Sequence, residues 1–157
     1  MKLLSSVISK LARMRLWRIE NWSKHPVAVQ REVLQELVTA AQYTEFGRKY
    51  HFSKLFTLKE FKRNVPIHEY DDIKPYILRM MDGEENILWN TPVKWFAKSS
   101  GTTSDKSKFI PISEESLQDN HYQASKDLLS SYYKNFPSSD LSTAKGLVVA
   151  GSHQTNT

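Results

Sequence analysis

The chain has 157 residues, a formal net charge of +5, 39% hydrophobic residues and no cysteine. This length and balance suit one ordinary domain with a buried core, and they exclude a disordered or fibrous chain. No apolar stretch reaches the roughly 18 residues that span a bilayer, and the lack of cysteine excludes disulfides, cysteine-ligated zinc and a thiol nucleophile.

Apolar residues at helical spacing predict a helix at the start of the chain, and they are Leu4, Val7, Ile8, Leu11 and Met14. Five bases lie in this segment before the first acid, Glu20. A basic amphipathic helix either packs on its own domain with its bases in water or binds a membrane surface or nucleic acid. We favour packing on the domain and expect neither nucleic acid nor membrane as a partner.

Two further helices are predicted from their start and stop signals. Pro26 suits the first turn of a helix whose apolar face runs to Ala41, and Gly47 is available beyond it as a terminator. Residues 57–60, Thr-Leu-Lys-Glu, fit a capping box that opens a short helix. That helix ends at Val65, because the residue before a proline is disfavoured in the helical conformation.

The acidic residues within positions 69–72 predict the N-terminus of a fourth helix, since carboxylates near a helix N-terminus are favourable. Pro75 is expected in the first turn of this helix, where a missing N–H costs no hydrogen bond. The helix closes near Gly83. Together these signals predict a mainly helical chain over about residues 1–90.

The remainder of the chain is predicted to form part of a mixed sheet with one long helix. Residues 93–97 and 108–112 are short β-favouring runs, and Pro111 makes the second run an edge strand. Ser113 caps the long helix. The predicted apolar face of that helix contains Leu117, His121, Ala124, Leu128 and Tyr132. With a buried strand at residues 146–150, the sequence indicates an α/β fold in which a helical N-terminal half leads into part of a mixed sheet.

One loop has a composition and a position that indicate a binding site. It runs from Ser99 to Lys108 between the two predicted strands and uses one of only five glycines in the chain. Five hydroxyl side chains precede Asp105, and Lys106 and Lys108 follow it. Backbone N–H groups beside a glycine, hydroxyl donors and an ammonium group are the groups that bind phosphate oxygens. The loop is not a Walker motif, and a solvated hairpin loop is the alternative interpretation.

This loop resembles the first ATP-binding motif of the adenylate-forming superfamily, which includes acyl-CoA synthetases and firefly luciferase. The matching core is Ser-Ser-Gly-Thr-Thr at residues 99–103, followed by Lys108 and a short strand. Lys108 follows Ser100 by eight residues, a longer spacing than in the wider superfamily. That spacing is similar to the one in the acyl acid amido synthetase branch, the auxin-responsive Gretchen Hagen family. The flanks that also resemble this branch are residues 70–77, 83–84 and 107–111.

The resemblance implies a ligase that uses ATP and Mg²⁺ to activate a small carboxylic acid as an acyl-adenylate. Pyrophosphate is released, and an amino-acid amine then displaces AMP to form an amide. A carboxylate is a poor electrophile, and adenylation gives it a good leaving group whose charge Mg²⁺ and lysine offset. The phosphate-binding residues that the resemblance implies are Ser99, Ser100, Gly101, Thr102, Thr103 and Lys108, with Lys106 as a weaker candidate. It assigns no catalytic residue and no metal ligand. Asp105 stands where many relatives have glycine, and three roles stay open for it: to face solvent, to cap the loop or to help hold Mg²⁺.

The resemblance covers most of the chain after about residue 45 and corresponds to the opening portion of the family's large domain. The family's adenine-binding motif, ribose-binding aspartate and C-terminal catalytic lysine have no counterparts here. We therefore expect residues 1–157 to be the N-terminal portion of one adenylate-forming domain in a longer protein, without turnover on their own. The lack of cysteine favours a reducing compartment, so we expect a cytoplasmic location.

Two other functions stay open as alternatives. One is a self-standing nucleotide- or phosphate-binding module without catalysis, and the other is a basic protein that binds nucleic acid or anionic lipid through its N-terminal helix. The five histidines form no pair at metal-ligand spacing, so we interpret them as structural or surface residues. We interpret the acids at residues 69–72 and 84–85 as supports of helix ends and turns.

Overall fold

The computed structural model describes residues 2–99, 107–137, 139, 145 and 147, with side chains from residue 11 onward. The helices are α1 (Lys2–Lys24), α2 (Pro26–Ala41), α3 (Glu45–Lys49), a 3-10 turn (Phe52–Lys54), α4 (Leu58–Asn64), α5 (Tyr70–Met81), a π-helical segment (Ser116–Tyr122) and α6 (Gln123–Asn135). The strands are β1 (Trp95–Lys98) and β2 (Phe109–Ile112). The predicted helical half leading into strands is therefore confirmed, while the predicted strand at 146–150 lies outside the described residues.

The core of the helical half forms where α2 meets the turn after α3. Its buried side chains are Val38, Ala41, Phe52 and Leu55, and partly buried Leu34, Phe46, Tyr50, Phe61, Val65 and Trp89 pack against them. Burial of these side chains is the main force that holds the short helices together, because α3 and α4 are too short to be stable alone.

Gly47 does not follow α2 as a terminator, which corrects the sequence prediction, but lies inside α3. Thr44 caps α3: its buried hydroxyl accepts a hydrogen bond from the Gly47 N–H at 2.9 Å and donates one to the Ala41 carbonyl at 2.7 Å. A Cβ on Gly47 would lie 2.0 Å from that carbonyl oxygen. Glycine is therefore needed for close approach of α3 to the end of α2 and not for helix termination.

The predicted capping box of α4 is confirmed. The Glu60 N–H donates to the Thr57 hydroxyl at 3.2 Å, and the Glu60 carboxylate accepts from the Thr57 N–H at 2.9 Å. The helix ends at Asn64, and Val65 is its extended C-cap, as predicted from the proline that follows.

The helix α5 begins five residues before its proline, so the prediction that Pro75 lies in the first turn is wrong. Asp72 fixes the start, because its carboxylate accepts the Glu69 N–H at 2.9 Å. Pro75 removes one hydrogen bond to the Asp71 carbonyl, but both residues are exposed and water can satisfy that carbonyl. Gly83, at φ +92°, follows the C-terminal end of α5 as predicted.

The strands β1 and β2 form an antiparallel hairpin with Trp95 opposite Ile112 and Lys98 opposite Phe109. Ser113 caps the helix that follows, since its hydroxyl accepts the Ser116 N–H at 3.1 Å. The π-helical segment continues directly into α6, which ends at Asn135. The sequence predicted this long helix but not its π-helical part.

The helices α1 and α6 pack side by side, and both run in the same direction. Arg15 binds Asp127 through two hydrogen bonds of 2.5 and 2.8 Å, and Lys134 binds Glu20 at 2.7 Å. This contact supports the interpretation that the basic N-terminal helix packs on its own domain. No helix in the described part of the chain is both long and apolar enough to cross a membrane.

Where side chains are described, the faces that α1 and α6 turn toward each other differ from the apolar faces that spacing predicts. The predicted face residues Leu4, Val7 and Ile8 lie outside the described side chains; in the described part of α1, Ala12 is buried, whereas Leu11 and Met14 are 61% and 59% exposed. In α6 the buried residue is Ser130, whereas the predicted core residue Leu128 is 72% exposed. The small residues allow close approach of the two helices, and the Arg15–Asp127 pair selects the contacting faces.

We expect Gly47→Ala to lower the free energy of unfolding by about 1–3 kcal/mol or more, because α3 must move away from the Ala41 carbonyl. Urea unfolding of the intact protein measures this change. The exposed α2 variant Thr39→Ala is the control and should change stability by about 0.5 kcal/mol or less. A wild-type midpoint for Gly47→Ala would contradict the close approach.

The ion pair between α1 and α6 predicts a pH-dependent stability. The Arg15 guanidinium holds the pKa of the Asp127 carboxyl below its ordinary value of 3.8, mainly through their hydrogen bond. Because folding lowers this pKa, the ion pair contributes fully to stability at pH values above the ordinary pKa. The contribution is lost as the pH falls through the folded-state pKa. The stability difference between wild type and Asp127→Asn should therefore be constant near neutral pH and shrink in acid.

Urea unfolding at a series of pH values measures this difference. Arg15→Gln is the matched variant, because removing the guanidinium breaks the same pair and should give the same pH profile. A difference between wild type and Asp127→Asn that persists unchanged in acid would contradict the assignment.

Candidate functional site

The hairpin holds the two ends of the Ser99–Lys108 loop next to each other. The Ser99 N–H donates to the Lys108 carbonyl at 2.9 Å, and the Lys108 N–H donates to the Ser99 hydroxyl at 3.3 Å. The chain between them therefore leaves and re-enters the hairpin at one point. Among the predicted phosphate-binding residues, Ser99 and Lys108 are brought together in this way.

The other predicted phosphate-binding residues, Ser100, Gly101, Thr102 and Thr103, lie outside the described residues, as do Asp105 and Lys106. Their assignment stays a prediction from the sequence. The geometry that can be described is that of the rim of the loop: the paired ends, the lysine and the side chains that support them.

Lys108 projects from the rim as an exposed cation that is supported from below by an aromatic ring. Its ammonium nitrogen lies 5.3 Å from the centroid of the Tyr70 ring. The Tyr70 hydroxyl accepts a hydrogen bond of 2.9 Å from the N–H of Phe109, the residue after the lysine. Sequence analysis recognised Tyr70 only as part of a flanking similarity, because no local pattern indicates a contact between residues 39 positions apart.

Glu115 fixes the other end of the hairpin. Its carboxylate accepts hydrogen bonds from the Trp89 indole N–H at 3.1 Å and from the Thr91 hydroxyl at 3.1 Å. The hydrogen bond from its own backbone N–H, with smaller contributions from Ser113, Trp89 and Thr91, lowers the pKa of Glu115 despite its partial burial. The segment before β1 and the helix after β2 are thus joined through one ionised carboxylate, which sequence analysis missed.

Glu84, one of the acids predicted to be structural, pairs with Arg79. The Arg79 guanidinium donates to Glu84 at 2.7 Å and to Glu45 at 3.0 Å, joining α3, α5 and the turn after α5. The hydrogen bond from Arg79 is the main cause of a lowered pKa at Glu84. His68 is also structural, since its Nε2 lies 2.8 Å from the Tyr50 hydroxyl.

The described residues contain no cluster of three or more His, Cys, Asp or Glu side chains that could hold a metal ion. A Mg²⁺ ion that accompanies a nucleotide needs only one or two protein carboxylates, because phosphate oxygens and water supply its other ligands. Asp105 is the one carboxylate within the loop. At the rim, the Lys108 ammonium and the Ser99 hydroxyl are available to an anionic ligand. A cation and a hydroxyl together suit phosphate oxygens.

The chain is similar to proteins of one known family. Residues 15–157 match the family model of the GH3 family N-terminal domain. The chain is 33% identical over 117 residues to the indole-3-acetic acid-amido synthetase GH3.2 of Arabidopsis thaliana, covering 74% of this chain and 21% of that protein. It is 30% identical over 149 residues to the jasmonoyl–L-amino acid synthetase JAR6 of Nicotiana attenuata, covering 87% of this chain and 26% of that protein.

One part of a solved structure, the AtGH3.15 acyl acid amido synthetase in complex with 2,4-DB, is similar in fold to this chain. The TM-score is 0.70 and the sequence identity 27%, over 78% of this chain and 21% of that chain. The chain therefore spans between about a fifth and a quarter of the length of these relatives.

We expect Glu115→Ala to destabilise the protein by about 1–3 kcal/mol, because the Trp89 indole N–H and the Thr91 hydroxyl lose their acceptor. Urea unfolding measures the change. Glu114→Ala is the matched control, since the carboxylate of Glu114 binds the side chain of Gln118 within one exposed helical turn. Equal effects of the two substitutions would show that Glu115 does not hold the hairpin.

Proposed function

Since this chain belongs to the GH3 family, whose N-terminal domain model it matches over residues 15–157, we propose that it forms the phosphate-binding part of an ATP-dependent acyl acid amido synthetase. The observation that carries the proposal is the closed rim of the Ser99–Lys108 loop. There the Ser99 hydroxyl and the exposed Lys108 meet at the mouth of a glycine- and hydroxyl-rich loop.

In the proposed reaction, a carboxylate oxygen of the acid attacks the α-phosphorus of ATP, and the bond to the bridging oxygen of pyrophosphate breaks. The amine of an amino acid then attacks the carbonyl carbon of the mixed anhydride, AMP leaves, and the amine loses a proton as the amide forms. Two relatives are named an indole-3-acetic acid-amido synthetase and a jasmonoyl–L-amino acid synthetase. These names support a small carboxylic acid and an amino acid as the substrate classes.

The roles proposed for the loop follow from its donors. Backbone N–H groups and hydroxyls of residues 99–103 donate to the non-bridging oxygens of the β- and γ-phosphates. The Lys108 ammonium offsets the negative charge that grows on pyrophosphate as it departs. A Mg²⁺ ion bound with the nucleotide would supply further positive charge to offset the same negative charge. The chain's own contribution is to hold serine and lysine at fixed positions before the nucleotide binds.

The proposal assigns only part of the enzyme's work to these residues. Groups that bind adenine, ribose and the acid are proposed to come from sequence beyond this stretch, in agreement with the share of the relatives' length that it spans. The experiment therefore uses the intact protein, expressed with all coding sequence that continues the chain. Acid-dependent exchange of radiolabelled pyrophosphate into ATP reports the first half of the reaction and needs no knowledge of the amino acid.

We expect Lys108→Met to reduce pyrophosphate exchange by about 100-fold or more, because it removes the cation that stabilises the departing charge. Lys94→Met is the matched control: Lys94 is an exposed lysine just before β1, at the end of the hairpin away from the loop. The control should exchange pyrophosphate at the wild-type rate.

Two outcomes would contradict the proposal. The first is an intact wild-type protein that shows no exchange with any of a panel of small carboxylic acids. The second is a Lys108→Met protein that is folded by circular dichroism and exchanges pyrophosphate at the wild-type rate.

A further inference from the structure

We propose that Tyr70 is a positioning residue that holds Lys108 in place for the phosphate groups of ATP, an inference that rests on the proposed function. Tyr70 makes two different contacts with the rim of the loop. Its hydroxyl accepts the Phe109 N–H at 2.9 Å, and its ring lies 5.3 Å below the Lys108 ammonium nitrogen. One side chain from a distant helix thus contacts both the backbone beside the lysine and its charged end.

The hydroxyl contact uses the one backbone donor that the outer edge of β2 has. Because Ser99 and Lys108 form a hydrogen-bonded pair, the next pair, Lys98 and Phe109, points its N–H groups away from the partner strand. Pro111 is the other outward-facing residue of β2 and has no N–H. The Phe109 N–H is therefore the single outward donor between residues 109 and 112, and Tyr70 binds it.

The ring contact fixes the charged end of the lysine. A lysine side chain has four rotatable bonds, and an exposed one loses considerable rotamer entropy when it binds a ligand. A cation above the face of an aromatic ring is attracted by the ring quadrupole. Restricting the ammonium before the nucleotide arrives reduces the entropy that binding must overcome, so the ring should strengthen ATP binding without touching ATP.

The position of Tyr70 is itself well defined. It is the first residue of α5, directly after the N-cap residue Glu69, whose N–H binds the Asp72 carboxylate, and it is half-buried. From the last turn of the same helix, Arg79 joins α5 to α3 and to the following turn through Glu45 and Glu84. The helix is therefore held at both ends, and this rigid support makes Tyr70 suitable for positioning another residue.

Three variants of the intact protein separate the two contacts. Tyr70→Phe removes the hydroxyl and keeps the ring, and Tyr70→Leu removes both. Tyr76→Phe is the matched control, because Tyr76 lies on the same helix and its hydroxyl accepts a hydrogen bond of 2.9 Å from Lys49, not from the loop. We expect the dissociation constant of Mg²⁺–ATP, measured by calorimetry, to rise about threefold in Tyr70→Phe and about tenfold in Tyr70→Leu. Tyr76→Phe should bind as wild type does.

A double-mutant cycle tests whether Tyr70 acts through Lys108. Adding Tyr70→Leu to Lys108→Met should not weaken ATP binding further, because the side chain that the ring positions is already gone. Equal losses in both backgrounds would make Tyr70 merely structural and overturn the inference. Wild-type affinity for ATP in both Tyr70→Phe and Tyr70→Leu would also overturn the inference. If Tyr70→Leu fails to fold, the affinity of Tyr70→Phe alone decides the test. Absence of ATP binding by the wild type would instead overturn the proposed function, and this inference with it.

Discussion

The hydrogen bond from the Phe109 N–H to the Tyr70 hydroxyl is the contact on which the arrangement of the candidate site depends. An isolated two-stranded hairpin is only marginally stable in water, so β1 and β2 need support from other elements. Tyr70 supplies it at the loop end, and Glu115 supplies it at the other end through Trp89 and Thr91. Tyr70 binds a backbone donor that β2 leaves unused, Glu115 binds two side-chain donors from the segment before β1, and Lys108 stays exposed.

The packing of the helical half determines the position of Tyr70 relative to the hairpin. Tyr70 can reach the hairpin only because α5 starts at that residue, and the Asp72 carboxylate sets this start. Arg79 joins α5 to α3 through Glu45, and α3 is in turn held against the end of α2 by Thr44 and Gly47. A chain of short contacts therefore connects the core under α2 with the rim of the loop. Each contact is local or polar, and the apolar core provides the stability behind them.

Local features of this fold could be predicted from the sequence, and long-range ones could not. The capping box of α4 and the strands on either side of the loop were predictable because short segments determine them. Gly47 and Pro75 were misplaced, since one serves a contact between two helices and the other lies beyond a start that Asp72 fixes. The α1–α6 contact also escaped prediction: helical spacing identifies apolar stripes, but small residues and an ion pair select the contacting faces. For the site, the sequence indicated Ser99 and Lys108 but not the tertiary contacts of Tyr70 and Glu115.

Under the proposed function, the supports of the rim hold the lysine in place while other residues of the loop donate to the phosphate groups. Phosphate oxygens accept hydrogen bonds at short distances and from several directions. Backbone N–H groups beside a glycine, together with hydroxyl side chains, can donate from those directions. A charge has its full effect only if it is already in place when the ligand arrives. In this chain the two requirements fall on different residues: the ends of the loop are fixed by Tyr70 and by the Ser99–Lys108 pair, whereas the glycine and the threonines lie between those ends. A glycine- and serine-rich loop without such supports would have the composition of the motif but would have to order its lysine at the expense of affinity.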